Sequence, residues 1–170
     1  MSNSFKVFQN RISNRLFFNQ FLLSKLPAAF FAGLSVKEFN EALAVIAVKE
    51  KWFNRNPFRS IYFAVLSMAA EMSTGILCMG YIYRHEPSIS MLITEQRGLF
   101  HKKANGKILF RCDDGNKIAI AVENAVNAGT SMITCHAKGY NSNNEMVAEF
   151  WITWSFKLRL GKTKPLTTKV

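Results

Sequence analysis

Acid is scarce in this chain. Of its 170 residues only 11 are Asp or Glu, against 22 Lys or Arg, giving a formal net charge of +11. No acidic residue precedes Glu38 and none follows Glu149. Such an excess attracts phosphates, whether in nucleic acid, anionic lipid or a coenzyme. The cationic residues are dispersed and no recognised nucleic-acid-binding motif accompanies them, so no nucleic-acid partner is expected. Cysteine is equally sparse. Cys78, Cys112 and Cys135 are odd in number, widely spaced and set in apolar surroundings, and no pair has metal-ligand spacing. They read as free thiols in a reducing compartment, with a cytoplasmic location as the default. The first apolar cluster is interrupted by Lys6, Arg11 and Arg15 with no small-residue cleavage site after it, so no secretory signal is expected. A Gly-rich phosphate loop is missing, and His85, His101 and His136 are scattered without a Ser or Cys partner. Neither a metal site, a catalytic triad nor a bound cofactor is expected. With 49% hydrophobic and 19% charged residues, most of the chain must be ordered, and its length suits one domain with a real core.

Charge is missing altogether, with one exception, from Ser60 to Tyr83. The exception is Glu71. Apolar residues lie on nearly every side of this run when it is wound as a helix, so it should be buried nearly all round. A carboxylate in such surroundings loses hydration and must be paired, neutralised or put to use. The run is long enough to cross a membrane. The central Glu, the dilution by Ser67, Ser73, Thr74, Gly75 and Gly80, and the basic flanks Arg55, Arg59 and Arg84 favour instead a core helix against a sheet.

Along the rest of the chain the periodicity changes repeatedly. Phe5, Phe8, Ile12, Leu16, Phe17 and Leu23 recur at helical spacing, predicting one amphipathic helix over residues 4–25 that Pro27 ends. Its apolar stripe should pack on the domain and its basic face stay open to anions, with peripheral membrane contact as the alternative. Alternation over 34–40 and 42–49 predicts two strands joined at Asn40-Glu41. The basic segment 51–59 leads to Asn56-Pro57, a capping pair at or a few residues before the start of the long helix, which should end near Arg84-His85. Strands follow over 89–101 and 107–112, joined by the turn Lys103-Ala104-Asn105-Gly106. A short helix over 117–128 stops at Gly129. Two more strands, 130–140 and 145–159, flank the turn Asn141-Ser142-Asn143-Asn144, with Phe150, Ile152, Trp154 and Phe156 on one face of the last. The divisions are a basic helical segment (1–30), an α+β domain (31–160) and a basic tail (161–170). Hairpin-length links predict an antiparallel sheet with one very apolar helix against it.

That order of elements resembles the hotdog fold of acyl-thioester hydrolases and dehydratases. In the thioesterase branch related to phenylacetate-pathway enzymes, the segment entering the central helix reads Asn-x-x-Gly-x-x-His-Gly-Gly, with an acid seven positions after the last Gly. Asn56 matches the Asn and Glu71 the acid in the same frame, whereas the first Gly falls on Arg59 and the His-Gly-Gly on Tyr62-Phe63-Ala64. Ala70-Glu71 and Gly75 are similar to the Ala-Glu-x-x-x-Gly of a bacterial hotdog branch with a leading helix, and the likeness spans most of residues 5–159.

The resemblance implies a thioesterase-like protein acting on an acyl thioester carried by coenzyme A or an acyl carrier protein, and a homodimer. It implies Glu71 as nucleophile or general base, with backbone amides at the helix start, Ala64 among them, holding the oxyanion. Asn56 takes the motif's Asn position. Charge and position make Lys51, Arg55 and Arg59 candidates for coenzyme phosphates, and Tyr62, Phe63, Met68 and Met72 candidates for the acyl pocket and its approach. Two alternatives stay open. Glu71 is a structural acid held by Ser67, Thr74, Tyr62 or an arginine, or the protein is a non-catalytic hotdog module that binds acyl groups, lipid or a partner.

Overall fold

A computed structural model describes residues 3–159. The tail expected at 161–170 lies outside the described residues. Three helices lead the chain, α1 (Asn3–Ser13), α2 (Arg15–Lys25) and α3 (Pro27–Ala32). Strands β1 (Ser35–Phe39) and β2 (Ala44–Lys49) follow, then a 3-10 turn (Trp52–Asn54) and the long helix α4 (Phe63–Ile82). The chain then forms β3 (Ile89–Phe100), β4 (Lys107–Cys112), α5 (Gly115–Ala128), β5 (Thr130–Tyr140) and β6 (Met146–Leu158).

The six strands make one antiparallel sheet in the order β1-β2-β4-β5-β6-β3. The hairpins β1–β2 and β5–β6 form as the sequence predicts. At the first, Asn40 Oδ1 accepts from the amides of Ala42 and Leu43 at 2.9 and 3.1 Å. The expected β3–β4 pairing does not form. The turn around Asn105-Gly106 instead serves β4, which lies between β2 and β5, while β3 crosses to the far edge and, among the described residues, pairs only with β6. Turn chemistry fixes a change of direction, but the partner is chosen by which apolar faces cover α4.

Helix α4 packs on β2, β4, β5 and β6, and Leu66, Ala69, Ile76, Leu77 and Cys78 are buried. Among the described residues it is the one helix long and apolar enough to cross a membrane, yet here the sheet and helices α1, α3 and α5 cover it. The β6 residues Phe150, Ile152, Trp154 and Phe156 all point into this core. Each large side chain so buried contributes roughly 1.5–3 kcal/mol before chain entropy is counted.

The N-terminal segment departs from the single helix predicted over 4–25. Asn14 interrupts it, its Oδ1 accepting from the amides of Leu16 and Phe17 at 3.0 and 3.1 Å as the N-cap of α2. Pro27, expected as a terminator, begins α3. The break re-phases the apolar stripe. Phe5, Phe8 and Ile12 pack into the core as expected, but Leu16 is 82% exposed and Phe17 points partly outward, and Phe18 and Leu22 take their place.

Candidate functional site

Helix α4 begins later than Asn56-Pro57 suggests. Asn56 closes a tight loop, its Oδ1 accepting from the amides of Phe58 (3.0 Å) and Ser60 (3.2 Å) while its Nδ2 donates to Ser60 Oγ (3.1 Å). Arg59 sits at φ 59° within that loop. The N-cap is Tyr62, which supplies no side-chain bond. Its amide donates to the Asn54 carbonyl at 2.8 Å, and its carbonyl accepts from the Val65 and Leu66 amides. The amides of Phe63 and Ala64 meet no acceptor among the described residues. They are the unsatisfied donors of a helix start, at the positive end of its dipole.

Most of α4 is buried, but Ala64, Ser67, Met68 and Glu71 are only partly covered. Their spacing of 0, 3, 4 and 7 residues puts them on one face. Strand β3 borders that face. A register shift between Ile93 and Glu95 lets Gln96 face the helix, where its Nε2 donates to Ser67 Oγ. Gly75 extends the stripe, and a Cβ there would lie 3.1 Å from Glu71 Oε1 and 3.3 Å from the Trp154 ring. The Glu71 carboxylate and the indole thus border the same small space beside Gly75.

None of the groups that the sequence offers as a partner holds Glu71. Ser67 is engaged by Gln96, and Thr74 Oγ1 donates to the backbone carbonyl of Glu71 at 3.0 Å and accepts from Trp154 Nε1. No side-chain hydrogen bond or ion pair to the carboxylate occurs among the described residues. Burial alone pushes its pKa up to about 7.

A cleft of about 580 Å³ opens at the start of α4. Asn56, Tyr62, Phe63, Phe100 and Lys103 line it, with Lys103 Nζ donating to the Phe58 carbonyl at 3.5 Å. Tyr62 and Phe63 stand edge to face at 4.8 Å at this mouth, where the resembled motif carries His-Gly. Glu71 lies two helical turns further on, roughly 10 Å along the axis from Ala64, and is not part of the cleft wall. Met68 borders the open stripe, whereas Met72 is buried in the core.

The three basic candidates do not converge. Arg55 Nε pairs with Glu50 Oε1 at 2.8 Å, and Glu50 also accepts from the Gly106 amide at 2.9 Å. Arg59 turns its carbonyl to Asn105 at 2.6 Å. Lys51 borders a different cavity beside β1. Two arrangements escape the sequence pattern. Asn54 is 2% exposed and donates to the carbonyls of Ala32 and Lys49 while accepting from the Lys51 amide, tying α3, β2 and the α4 entry together. His101 and His136, far apart in sequence, both meet Glu149, at 2.9 and 2.7 Å. His136 on β5 and His101 just beyond β3 flank Glu149 on β6, an arrangement that could be read only once strand order was known. Among the described residues no group of His, Cys, Asp or Glu is placed to hold a metal ion.

No protein-family model and no curated protein matches this sequence. Solved structures do. A Pseudomonas aeruginosa protein of unknown function, called a probable thioesterase, superposes with a TM-score of 0.72 at 18% identity, over 84% of this chain and 95% of its own. A Haemophilus influenzae thioesterase gives 0.62 at 13% identity, over 89% and 95%. The Escherichia coli PaaI protein of the phenylacetic acid degradation operon gives 0.61 at 12%, over 91% and 96%. The chain has the hotdog fold, with a six-stranded antiparallel sheet around the apolar helix α4 and added N-terminal helices. Its structural neighbours are thioesterase-family hotdog proteins, and at these identities the likeness establishes the fold.

Proposed function

We propose that the protein binds and hydrolyses an acyl thioester, carried by coenzyme A or an acyl carrier protein, with Glu71 as the nucleophile or general base. The observation that carries this reading is the Glu71 carboxylate, which has no side-chain partner among the described residues and lies only partly buried on an open face of α4. A structural acid in such a place is ordinarily satisfied by a hydrogen bond or a cation. A pKa of about 7 leaves Glu71 able to take a proton from water near neutral pH. Ser67 and Gln96, one turn earlier, offer polar contacts, and Met68 an adaptable apolar one.

The free amides of Phe63 and Ala64 are suited to an oxyanion. Their two-turn separation from Glu71 is too great for one chain's amides and carboxylate to serve the same carbonyl, since both must lie about 3 Å from the reacting atoms. A second copy supplies what is missing. Among the described residues strand β3 is a 12-residue edge paired on one side only, with Leu92 exposed and Phe100 half exposed beside the helix entry. Pairing across such an edge by a two-fold axis covers it and brings two helix starts near two carboxylates. The protein is accordingly a homodimer. Light scattering after size exclusion should give twice the chain mass, and a monomer at micromolar concentration would remove the composite site.

Free-thiol release from a panel of acyl-coenzyme A substrates tests the activity. Glu71→Gln should lower kcat/KM by roughly 10²–10⁴, and the wild-type rate should rise with pH and level off above about 7. Turnover unchanged in Glu71→Gln would sink the catalytic assignment. The second reading, an acyl-binding module without catalysis, is favoured by the bulk of Tyr62 and Phe63 at the cleft mouth. It predicts acyl-chain binding with no thiol release from any substrate.

A further inference from the structure

We propose that Arg15, Lys37 and Lys51 form a second binding site, separate from the Glu71 face, that takes the phosphate of an organic phosphate ester. They border a cavity of about 520 Å³ between α2, α3 and β1, within the size range of small-ligand pockets. Among the described residues no carboxylate lines it. None of the three cationic side chains makes an ion pair or hydrogen bond among the described residues, whereas Arg55 nearby is taken up by Glu50. The first turn of α2 also borders the cavity, with its dipole of the same sign.

Lys51 is drawn into this place by the backbone. It folds across Gly33, whose φ of 79° few other residues adopt, and a methyl group there would collide with Lys51 Nζ and lie 3.0 Å from Cε. Asn54 fixes the geometry by binding both the Ala32 carbonyl and the Lys51 amide. Three cations around one space exceed what a single carboxylate needs and match a phosphate, which offers several charged oxygens. The walls add Phe18, Phe30 and the exposed Phe31, and the space is larger than a bare phosphate fills. Hence the ligand carries an organic moiety that can lie on the rings of Phe30 and Phe31.

Calorimetry on the full chain, with pyrophosphate and adenosine diphosphate as soluble probes, tests this. In parallel, vesicles of phosphatidylglycerol are compared with vesicles of phosphatidylcholine. Binding of adenosine diphosphate, tighter than pyrophosphate, assigns a soluble ligand; binding of the anionic vesicles alone assigns a lipid phosphate. In either case Arg15→Gln and Lys51→Gln should each weaken binding roughly tenfold, the loss expected for one charge-assisted contact, and Lys51→Arg should restore most of it. The double variant Lys138→Gln/Lys157→Gln removes two remote charges and should bind as the wild type does. Glu71→Gln should bind normally too, which separates this site from the catalytic reading. Binding of none of the probes, or an equal loss in the remote-charge variant, would overturn the proposal.

Discussion

Trp154 Nε1 donates a 3.0 Å hydrogen bond to Thr74 Oγ1, which holds the indole edge against α4 one turn beyond Glu71. The bond crosses the core between β6 and the central helix, and Gly75 leaves the room that lets ring and carboxylate approach. Gly75→Ala tests this directly. The new Cβ would press on Glu71 Oε1 at 3.1 Å and on the indole at 3.3 Å. Helix propensity favours Ala by about 1 kcal/mol and offsets the crowding, so the unfolding free energy should stay within about 1 kcal/mol of wild type. Thioester turnover should fall all the same, because the carboxylate is displaced. A Tm and a rate both equal to wild type would show that the close approach has no consequence.

Glu71 makes the protein less stable as the pH rises. Its folded pKa of about 7 stands above its unfolded value near 4.5. Between those values the folded state binds the extra proton, so stability declines as pH rises through that window and the penalty is complete above about 7. The upper bound is about 3 kcal/mol at 1.36 kcal/mol per pKa unit. Glu71→Gln should therefore be the more stable protein at pH 8, with the difference fading towards pH 4. Urea denaturation at the two pH values measures it, and equal gains at both would mean the carboxylate is not burdened by burial.

Asn54→Ala should be among the most damaging single changes. It strips the carbonyls of Ala32 and Lys49 and the amide of Lys51 of one shared partner in a buried place. A loss of about 2–4 kcal/mol is expected from unsatisfied groups and the void. The Tm should drop by several degrees, at about 2–4 °C per kcal/mol for a chain of this size. A fall under one degree would mean that the α4 entry is held by other contacts.

The N-terminal helices are part of the core. Phe5, Phe8, Ile12, Phe18 and Leu22 are buried, and Phe5 lies 5.0 Å from the Tyr81 ring and 5.4 Å from Phe39. Removal of residues 1–26 should yield an aggregating protein, and Phe5→Ala should cost about 3–5 kcal/mol. Leu16→Ser, on the exposed side, should change the Tm little. A truncated chain that melts as the full one does, losing only vesicle binding, would make this segment a membrane anchor instead.

Much of this molecule follows from local pattern. The charge-free run fixed α4 and singled out Glu71, because a helix apolar all round has to be enclosed and a lone acid within it has to be exceptional. Alternation placed all six strands, and the Asn-rich turns placed two hairpins. Tertiary structure decided the rest. Asn14 breaks the leading helix because its side chain caps the next one, a competition that apolar periodicity does not register. Strand β3 leaves its neighbour in sequence because pairing with β6 completes the cover over α4. Lys51, Arg55 and Arg59 lie within nine residues yet go to separate places, one to a cavity beside α2, one to Glu50 and one into a loop. That no side chain among the described residues holds the Glu71 carboxylate is likewise a fact of the fold. Ser67 and Thr74 were within reach along the chain, and the positions of Gln96 on β3 and Trp154 on β6 drew them elsewhere, while the Tyr62 ring stands against Phe63 at the mouth of the cleft.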